Sequence, residues 1–315
     1  MVFNKDLIIV VPTFNREHIL KSWLEHHASL MLSKKIRIHI QDNYSTDGTK
    51  ALLKKWREKF NNISFEINKK NYQDKNFVLS LNKGDARFVW LVGDSYLISE
   101  KLINSVLLNI KNHSPLFFII NLKEKIKYLK ESYVEADFVC ERLAGILSCI
   151  SCTIYNKNKL GKIKFQEEKL RNFSHTIYIL NKLKLYKSQA YWIPLSISTL
   201  PINRELKINW STKPQYVFEV GCKNWIICIN SLTKYSYKSK KKAFRLFSEI
   251  TNLFNWRGGL WLRAQGLLTI DKIKTYEIYL NKSVGKSYLL LYLIALIPIY
   301  PLKILKKIYD KYLNK

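Results

Sequence analysis

The sequence predicts an α/β fold on a mostly parallel sheet, followed by a helical extension. Three observations carry this expectation. Leu7 to Val11 is an unbroken apolar run, and Ile36 to Ile40, Ile63 to Ile67, Phe88 to Val92 and Leu116 to Ile120 read as further strands. Segments of helical spacing alternate with them. The connections are short. A brief apolar run stopped by Pro or Gly reads as a strand buried on both faces. Strand and helix in alternation imply parallel strands joined by right-handed crossovers.

The first run stops at Pro12, and Asn15-Arg16-Glu17 then opens a helix with Ile19, Leu20, Trp23 and Leu24 on one face. After the second run, Thr46-Asp47-Gly48 starts a helix through Leu52, Leu53 and Trp56. The third run leads to a short helix over Asn76 to Leu81, and the fourth is bounded by Gly93. A helix over Leu102 to Ile110 precedes the fifth run. Beyond Leu122 the rhythm changes. Cys152 to Tyr155 and Tyr191 to Ile197 read as strands with a helix from about Phe173 to Leu185 between them, and from about Pro201 the chain reads as helices. These patterns divide the chain into an α/β domain over 1–200, a helical extension over 201–283 and a tail over 284–315.

The 315 residues suit one large domain or two modest ones, with enough apolar content for a sizeable core. The formal net charge of +29 is the unusual feature. Part of it reflects a chain rich in Lys, Asn and Ile throughout. No helix-turn-helix, RNA-recognition motif or zinc-finger spacing accompanies it, so nucleic acid is not an expected partner. Cys149 and Cys152 form a C-x-x-C, but no second pair or nearby His completes a zinc set. Buried strand thiols in a reducing, cytoplasmic setting are the expectation, since an odd count of five argues against a disulfide framework. No long apolar stretch precedes the first charged turn, so no signal peptide is expected.

Ligands of open α/β sheets bind beyond the carboxyl ends of the strands, and four polar segments fall there. Pro12-Thr13-Phe14-Asn15-Arg16 offers an aromatic for a base, an amide that braces the turn and a guanidinium for a phosphate; an N-cap role for Asn15 reads equally well. Asp42-Asn43 ends the second run ahead of Ser45, Thr46 and Asp47, which read as caps of the next helix, whereas a cap has no need of Asp42. Asn71 to Asn76 orients a ligand or is simply a polar loop. Asp94, just past Gly93, lies where a diphosphate-bound Mg or Mn ion would sit.

In this order and at these gaps, the four segments resemble family 2 glycosyltransferases of the GT-A fold over about residues 5 to 100. The branch they are most similar to holds abequosyltransferase-like and other O-antigen or capsule enzymes. The matches are Pro12 to Asn15, Asp42 to Thr49, Asn71 to Asn76, and Trp90 to Asp94. The resemblance implies inverting transfer from a nucleotide-diphosphate sugar to a glycan acceptor, often lipid-linked. It implies nucleotide contacts from Pro12, Thr13, Phe14, Asn15, Arg16, Asp42, Asn43, Asn71, Asn76 and Gly93, and a divalent metal (Mn or Mg) on Asp94. Two departures stand out: Tyr96 occupies the place of the second carboxylate of the Asp-x-Asp motif, and Gln73 that of a glycine. Arg16, Arg87 and the general basicity would then share in neutralising the leaving group. The family's Glu-Asp pair, source of the general base, is absent; Glu167, Glu168 and His175 are the candidates, with Asp137 more remote. A catalytically degenerate domain that scaffolds a membrane assembly is the alternative raised by Tyr96.

The C-terminus bears on location. Tyr288 to Leu302 is apolar, interrupted by Pro298 and Pro301, and shorter than the roughly 20 residues of a spanning helix. Leu305, Ile308, Tyr309 and Tyr312 then form one stripe, with Lys303, Lys306, Lys307, Lys311 and Lys315 elsewhere. An apolar wedge before a basic amphipathic helix fits a peripheral protein on the cytoplasmic face of a bacterial inner membrane; a helix packed on the protein's own core is the competing reading.

Overall fold

The computed structural model describes residues 2–73, 75–83, 85–164, 172–201 and 214–313. The chain divides into two compact units, one of residues 1–136 and 146–207, the other of 137–145 and 208–315.

Among the described residues, the first unit holds a nine-stranded mixed sheet. Its strands are β1 (Leu7–Thr13), β2 (Arg37–Asp42), β3 (Ile63–Ile67), β4 (Phe88–Leu91), β5 (Tyr96–Leu97), β6 (Phe117–Leu122), β7 (Ser132–Val134), β8 (Thr153–Asn156) and β9 (Ala190–Thr199). The order is β3-β2-β1-β4-β8-β6-β9-β5, with β7 pairing β9. The first four strands are mutually parallel, joined through α1 (Glu17–Ser33), α2 (Thr49–Lys59) and α3 (Lys75–Leu81). β8 enters antiparallel between β4 and β6, while β6 and β9 pair in parallel. The short β5 and β7 carry too few residues for any periodicity to mark them.

β1 lies inside the parallel half, which is why all seven of its residues are buried. α1 (Glu17–Ser33) packs Leu20, Trp23, Leu24 and Met31 inward, at helical spacing. The same face buries His27. Its Nδ1 lies 2.7 Å from the Trp23 carbonyl, and its Nε2 accepts from the Ile98 N–H at 2.9 Å. These bonds fix one neutral tautomer, and burial lowers the imidazole pKa to about 4.

The register levels the strand ends that matter. Thr13 pairs with Asp42, Asp42 with Ile67, and Val10 with Leu91. The carboxyl ends of β1 to β4 therefore present Thr13, Asp42, the residues after Ile67 and the residues after Leu91 along one edge.

The second unit is helical, with helices at Tyr237–Thr251, Trp256–Ala264, Ile270–Val284, Leu289–Leu296 and Ile299–Leu313 among its elements. Its core includes Phe218, Phe254, Leu262, Ile273, Leu280 and Leu291. Ser236, Asn255 and Thr269 cap three of these helices through their side-chain oxygens. Residues 137–145 join this unit through Glu141, which binds Ser239 at 2.9 Å and the Lys242 ammonium.

Candidate active site

The turn after β1 is tied to the turn after β2. Asn15, at φ 49°, donates its N–H to Ser45 Oγ at 2.8 Å and accepts the Thr46 N–H on Oδ1 at 2.8 Å. Asn tolerates this left-handed conformation better than most residues. Asn15 thus braces two loops and caps no helix: α1 is preceded by Arg16, and its first N–H, from Glu17, goes to Asp47 Oδ2 at 3.0 Å. Asp47 also takes the Thr49 N–H and hydroxyl.

Asp42 is fully buried and serves the turn that follows it. Its Oδ1 accepts the Ser45 hydroxyl at 2.5 Å and the Ser45 N–H at 3.2 Å. Asp42 caps no helix, since α2 is preceded by Gly48, but these bonds give it a local role in the turn. Burial raises its pKa, against the Ser45 hydrogen bonds that lower it. A carboxylate has about four lone-pair positions, so acceptor capacity remains. Between Asp42 and Ser45, Tyr44 is held at φ 71° with its side chain half exposed. Phe14 is exposed to a similar extent on the neighbouring loop. Two solvent-facing aromatics thus flank the Asn15–Ser45 bond.

An amide network closes the β3 side. Gln41 Nε2 donates to Asn68 Oδ1 at 2.8 Å, and Asn68 Nδ2 donates to Asn43 Oδ1 at 2.9 Å and Asn76 Oδ1 at 2.8 Å. Asn43 Nδ2 donates to Asn71 Oδ1, also at 2.8 Å, and Asn43 Oδ1 takes the Tyr72 N–H. Asn43 and Asn76 are buried and spent on the loop; Asn71 is exposed. The hub, Asn68, was not singled out from sequence. Its position one residue past β3 is the feature that would have found it.

Asp94 lies at the centre of the edge. It is 3% exposed, accepts Thr13 Oγ1 on Oδ2 at 3.1 Å, and pairs through Oδ1 with Arg16 Nη1 at 3.2 Å. Arg16 Nη2 also donates to Ser95 Oγ at 2.6 Å. Burial raises the Asp94 pKa, and the Arg16 charge and the Thr13 and Ser95 bonds only partly offset it. Gly93 donates its N–H to the buried Ser151 Oγ at 2.9 Å, and Trp90 Nε1 donates to the Ser151 carbonyl at 2.8 Å. A Cβ on Gly93 would lie 3.4 Å from the Tyr96 ring, so that ring covers the turn.

Tyr96, in the place of a second carboxylate, hydrogen-bonds to Cys149. The C-x-x-C lies largely on a 3-10 turn, Ile150–Cys152, rather than in a strand, and all five cysteines are free thiols. The neighbouring Cys152 thiol and the Tyr96 hydroxyl lower the Cys149 pKa to about 7 against burial. Among the described residues, no three His, Cys, Asp or Glu side chains gather to hold a metal. Both Asp94 oxygens are engaged, with a guanidinium already beside one of them. Asp94, already paired, is the carboxylate that these residues would offer a divalent cation beside substrate phosphates.

His175 begins the helix Ser174–Leu185, away from the role of an exposed base. It is 4% exposed and bonds to the Leu147 and Ser148 backbone, and burial lowers its pKa to about 4. An imidazole of that pKa is a poor acceptor for a hydroxyl proton at neutral pH. Its neighbour Thr176 donates to the same Leu147 carbonyl at 2.9 Å, so the pair anchors the helix start. Glu167 and Glu168 lie outside the described residues.

Comparison with known proteins agrees with this architecture. Abequosyltransferase RfbV of Salmonella typhimurium (strain LT2) is 25% identical over 187 residues, covering 49% of this chain. The match spans only 54% of that relative's length. S. aureus TarS 1-349, solved in complex with UDP-GlcNAc, superposes with a TM-score of 0.57 at 18% identity over 89% of this chain and 84% of its own. The mannosyltransferase PcManGT from Pyrobaculum calidifontis, solved with GDP-Man and Mn2+, gives 0.52 at 11% identity over 92% and 88%. These likenesses establish the GT-A fold. Residues 8–134 match the family profile described as Glycosyl transferase family 2. Over that segment the chain is similar to family 2 glycosyl transferases, and its fold is that of the GT-A enzymes.

Proposed function

We propose that the protein is a nucleotide-sugar-dependent glycosyltransferase that extends a glycan acceptor by inverting transfer. The observation that carries this reading is the buried Thr13–Asp94–Arg16 cluster at the strand edge, beside the exposed Phe14 and Tyr44. The aromatics offer faces for a base, Asp42 offers an acceptor for nucleoside hydroxyls or N–H groups, Asn71 offers its amide N–H donors because its oxygen is taken by Asn43 and Gln73, and Arg16 offers a cation for the diphosphate. Asp94 holds the Arg16 guanidinium in place, and that guanidinium, with the basic surroundings, offsets charge on the departing nucleotide. No step is assigned to a metal.

Deprotonation of the acceptor hydroxyl falls to Glu168, with His175 as the anchor of the helix that follows it. Direct displacement at the anomeric carbon then inverts its configuration. The relation to an abequosyltransferase supports an acceptor in bacterial surface polysaccharide synthesis. Such a glycan is lipid-linked at the inner face of the plasma membrane, where a peripheral enzyme meets it. A thermal-shift screen of UDP-, GDP-, CDP- and dTDP-sugars, with and without Mn2+, tests the reading. One nucleotide class should raise the melting temperature equally in EDTA. A shift that appears only with Mn2+ would return the metal to the site.

Tyr96 keeps a second reading open, that of a non-catalytic scaffold in a polysaccharide-assembly complex. It predicts no turnover with any donor.

A further inference from the structure

The helix Leu289–Leu296 has two unlike faces. Leu291, Ile294 and Ala295 are buried in the core of the second unit. A Cβ on Gly259 would lie 2.8 Å from Leu291 Cδ2, so the absence of one lets this helix approach closely. The opposite face is apolar and uncovered: Leu289 is 51% exposed, Leu290 42%, Leu293 65% and Leu296 66%. Self-packing therefore accounts for one side only.

The chain axis then turns by 97° into the helix Ile299–Leu313. The corner is held from within the unit, because Arg263 Nε donates to the Ile297 carbonyl at 2.8 Å and its Nη1 to the Leu268 carbonyl at 3.1 Å. Tyr300, Ile304 and Ile308 continue the exposed apolar surface at i, i+4 and i+8. Of the expected stripe, Leu305 is exposed as well, and Tyr309 and Tyr312 have side chains outside the described residues.

Two facts select the occupant. From Gly285 onward the sequence holds Lys286, Lys303, Lys306, Lys307, Lys311 and Lys315 against a single acid, Asp310. Lys286 and Lys303 are exposed beside the apolar faces. The eight residues of Leu289–Leu296 rise about 12 Å, well short of the roughly 30 Å hydrocarbon core. No single described helix is long and apolar enough to cross a membrane.

We propose that this bent pair of helices inserts edge-on into one leaflet of an anionic bilayer, Leu289, Leu293 and Leu296 entering the acyl boundary and the lysines meeting lipid phosphates. The corner lies in the membrane plane and does not span it. This deepens the membrane part of the proposed function and is independent of the transferase chemistry, because it is read without a donor or acceptor.

The test is flotation of the full-length protein with vesicles of phosphatidylcholine alone or with a quarter phosphatidylglycerol. Binding should need the anionic lipid, weaken as salt rises, and be released by alkaline carbonate. Leu293→Asp with Leu296→Asp changes two exposed side chains and should leave the melting curve in place while reducing binding at least about a hundredfold, roughly tenfold or more for each leucine. Lys286→Glu with Lys303→Glu should remove the preference for anionic lipid without touching the core, which keeps the proposal testable if the leucine variant fails to fold. Equal binding to neutral vesicles, resistance to carbonate, or a wild-type dimer that the leucine variant converts to monomer without any vesicle binding would each overturn it.

Discussion

Asp94→Asn separates the two contributions that meet in this carboxylate. The substitution removes the charge opposite Arg16 but keeps an oxygen for Thr13. Arg16 is 30% exposed, so water takes over much of its solvation, and the lost ion pair is worth at most about 1 kcal/mol. Against that loss stands the cost of burying a carboxylate at 3% exposure, large enough to raise the Asp94 pKa despite Arg16. A folded-state pKa above the unfolded value means that this group favours folding most when protonated. Its contribution is present at acid pH and is lost as pH rises through the folded pKa.

At pH 7 the two effects therefore nearly cancel. The variant should stay within about 1 kcal/mol of wild type, a shift of roughly 2–4 °C in melting temperature. Sugar transfer should fall by about 10²–10³, the usual cost of losing one preorganised electrostatic group. Calorimetric melts of both proteins at pH 7 and pH 5, paired with a transfer assay on the same preparations, measure both. The stability difference should move in favour of wild type as pH falls. A variant that melts 10 °C lower, or one that transfers normally, would refute the reasoning.

Asp42→Ala should weaken nucleoside diphosphate binding at least tenfold by calorimetry, since a hydrogen bond to a charged group contributes about 1.5–3 kcal/mol; Ser45→Ala should cost less, and unchanged affinity in Asp42→Ala removes that residue from the site. Glu168→Gln should cut turnover by about 10²–10⁴, as removal of a general base does, while His175→Gln should lower stability more than it lowers kcat/KM; the reverse pattern would make His175 the base. Burial holds His27 and His175 at a pKa of about 4, below the usual 6.5. Their contribution to stability is present above 6.5 and is lost as pH falls towards 4, by up to about 3 kcal/mol for each. Urea unfolding across that window should show the loss, offset in part by Asp42 and Asp94, and His27→Gln should reduce its slope; a flat profile in wild type would contradict the burial argument.

The parallel half of the sheet was legible because its strands carry apolar residues between polar turns, as β4 does ahead of Gly93; β1 runs on through Pro12 to Thr13. The antiparallel insertion of β8 was not, since periodicity carries no strand direction. The short β5 and β7 escaped for want of length. In the site, the residue types after each strand were readable, but their partners were not. Tyr96 turns to Cys149 and Asn68 binds three other amides, through contacts made only when separate segments meet, while Asp42 turns to Ser45 within its own turn. His175 illustrates the same gap, because its burial and lowered pKa come from helix Ser174–Leu185 packing on residues 147 and 148. The apolar character of 288–302 was plain, yet only packing could divide one helix into a buried face and an exposed one.

The central claim is that this edge of the sheet turns over a nucleotide sugar. The direct measurement is release of nucleoside diphosphate from a donor panel in EDTA, comparing the wild-type protein with Asp94→Asn. One donor should be consumed by wild type, slowly as hydrolysis and faster with a polysaccharide acceptor, and consumed about 10²-fold more slowly by the variant. A wild-type protein that consumes no donor, with or without Mn2+, would contradict the account and leave the scaffold reading in its place.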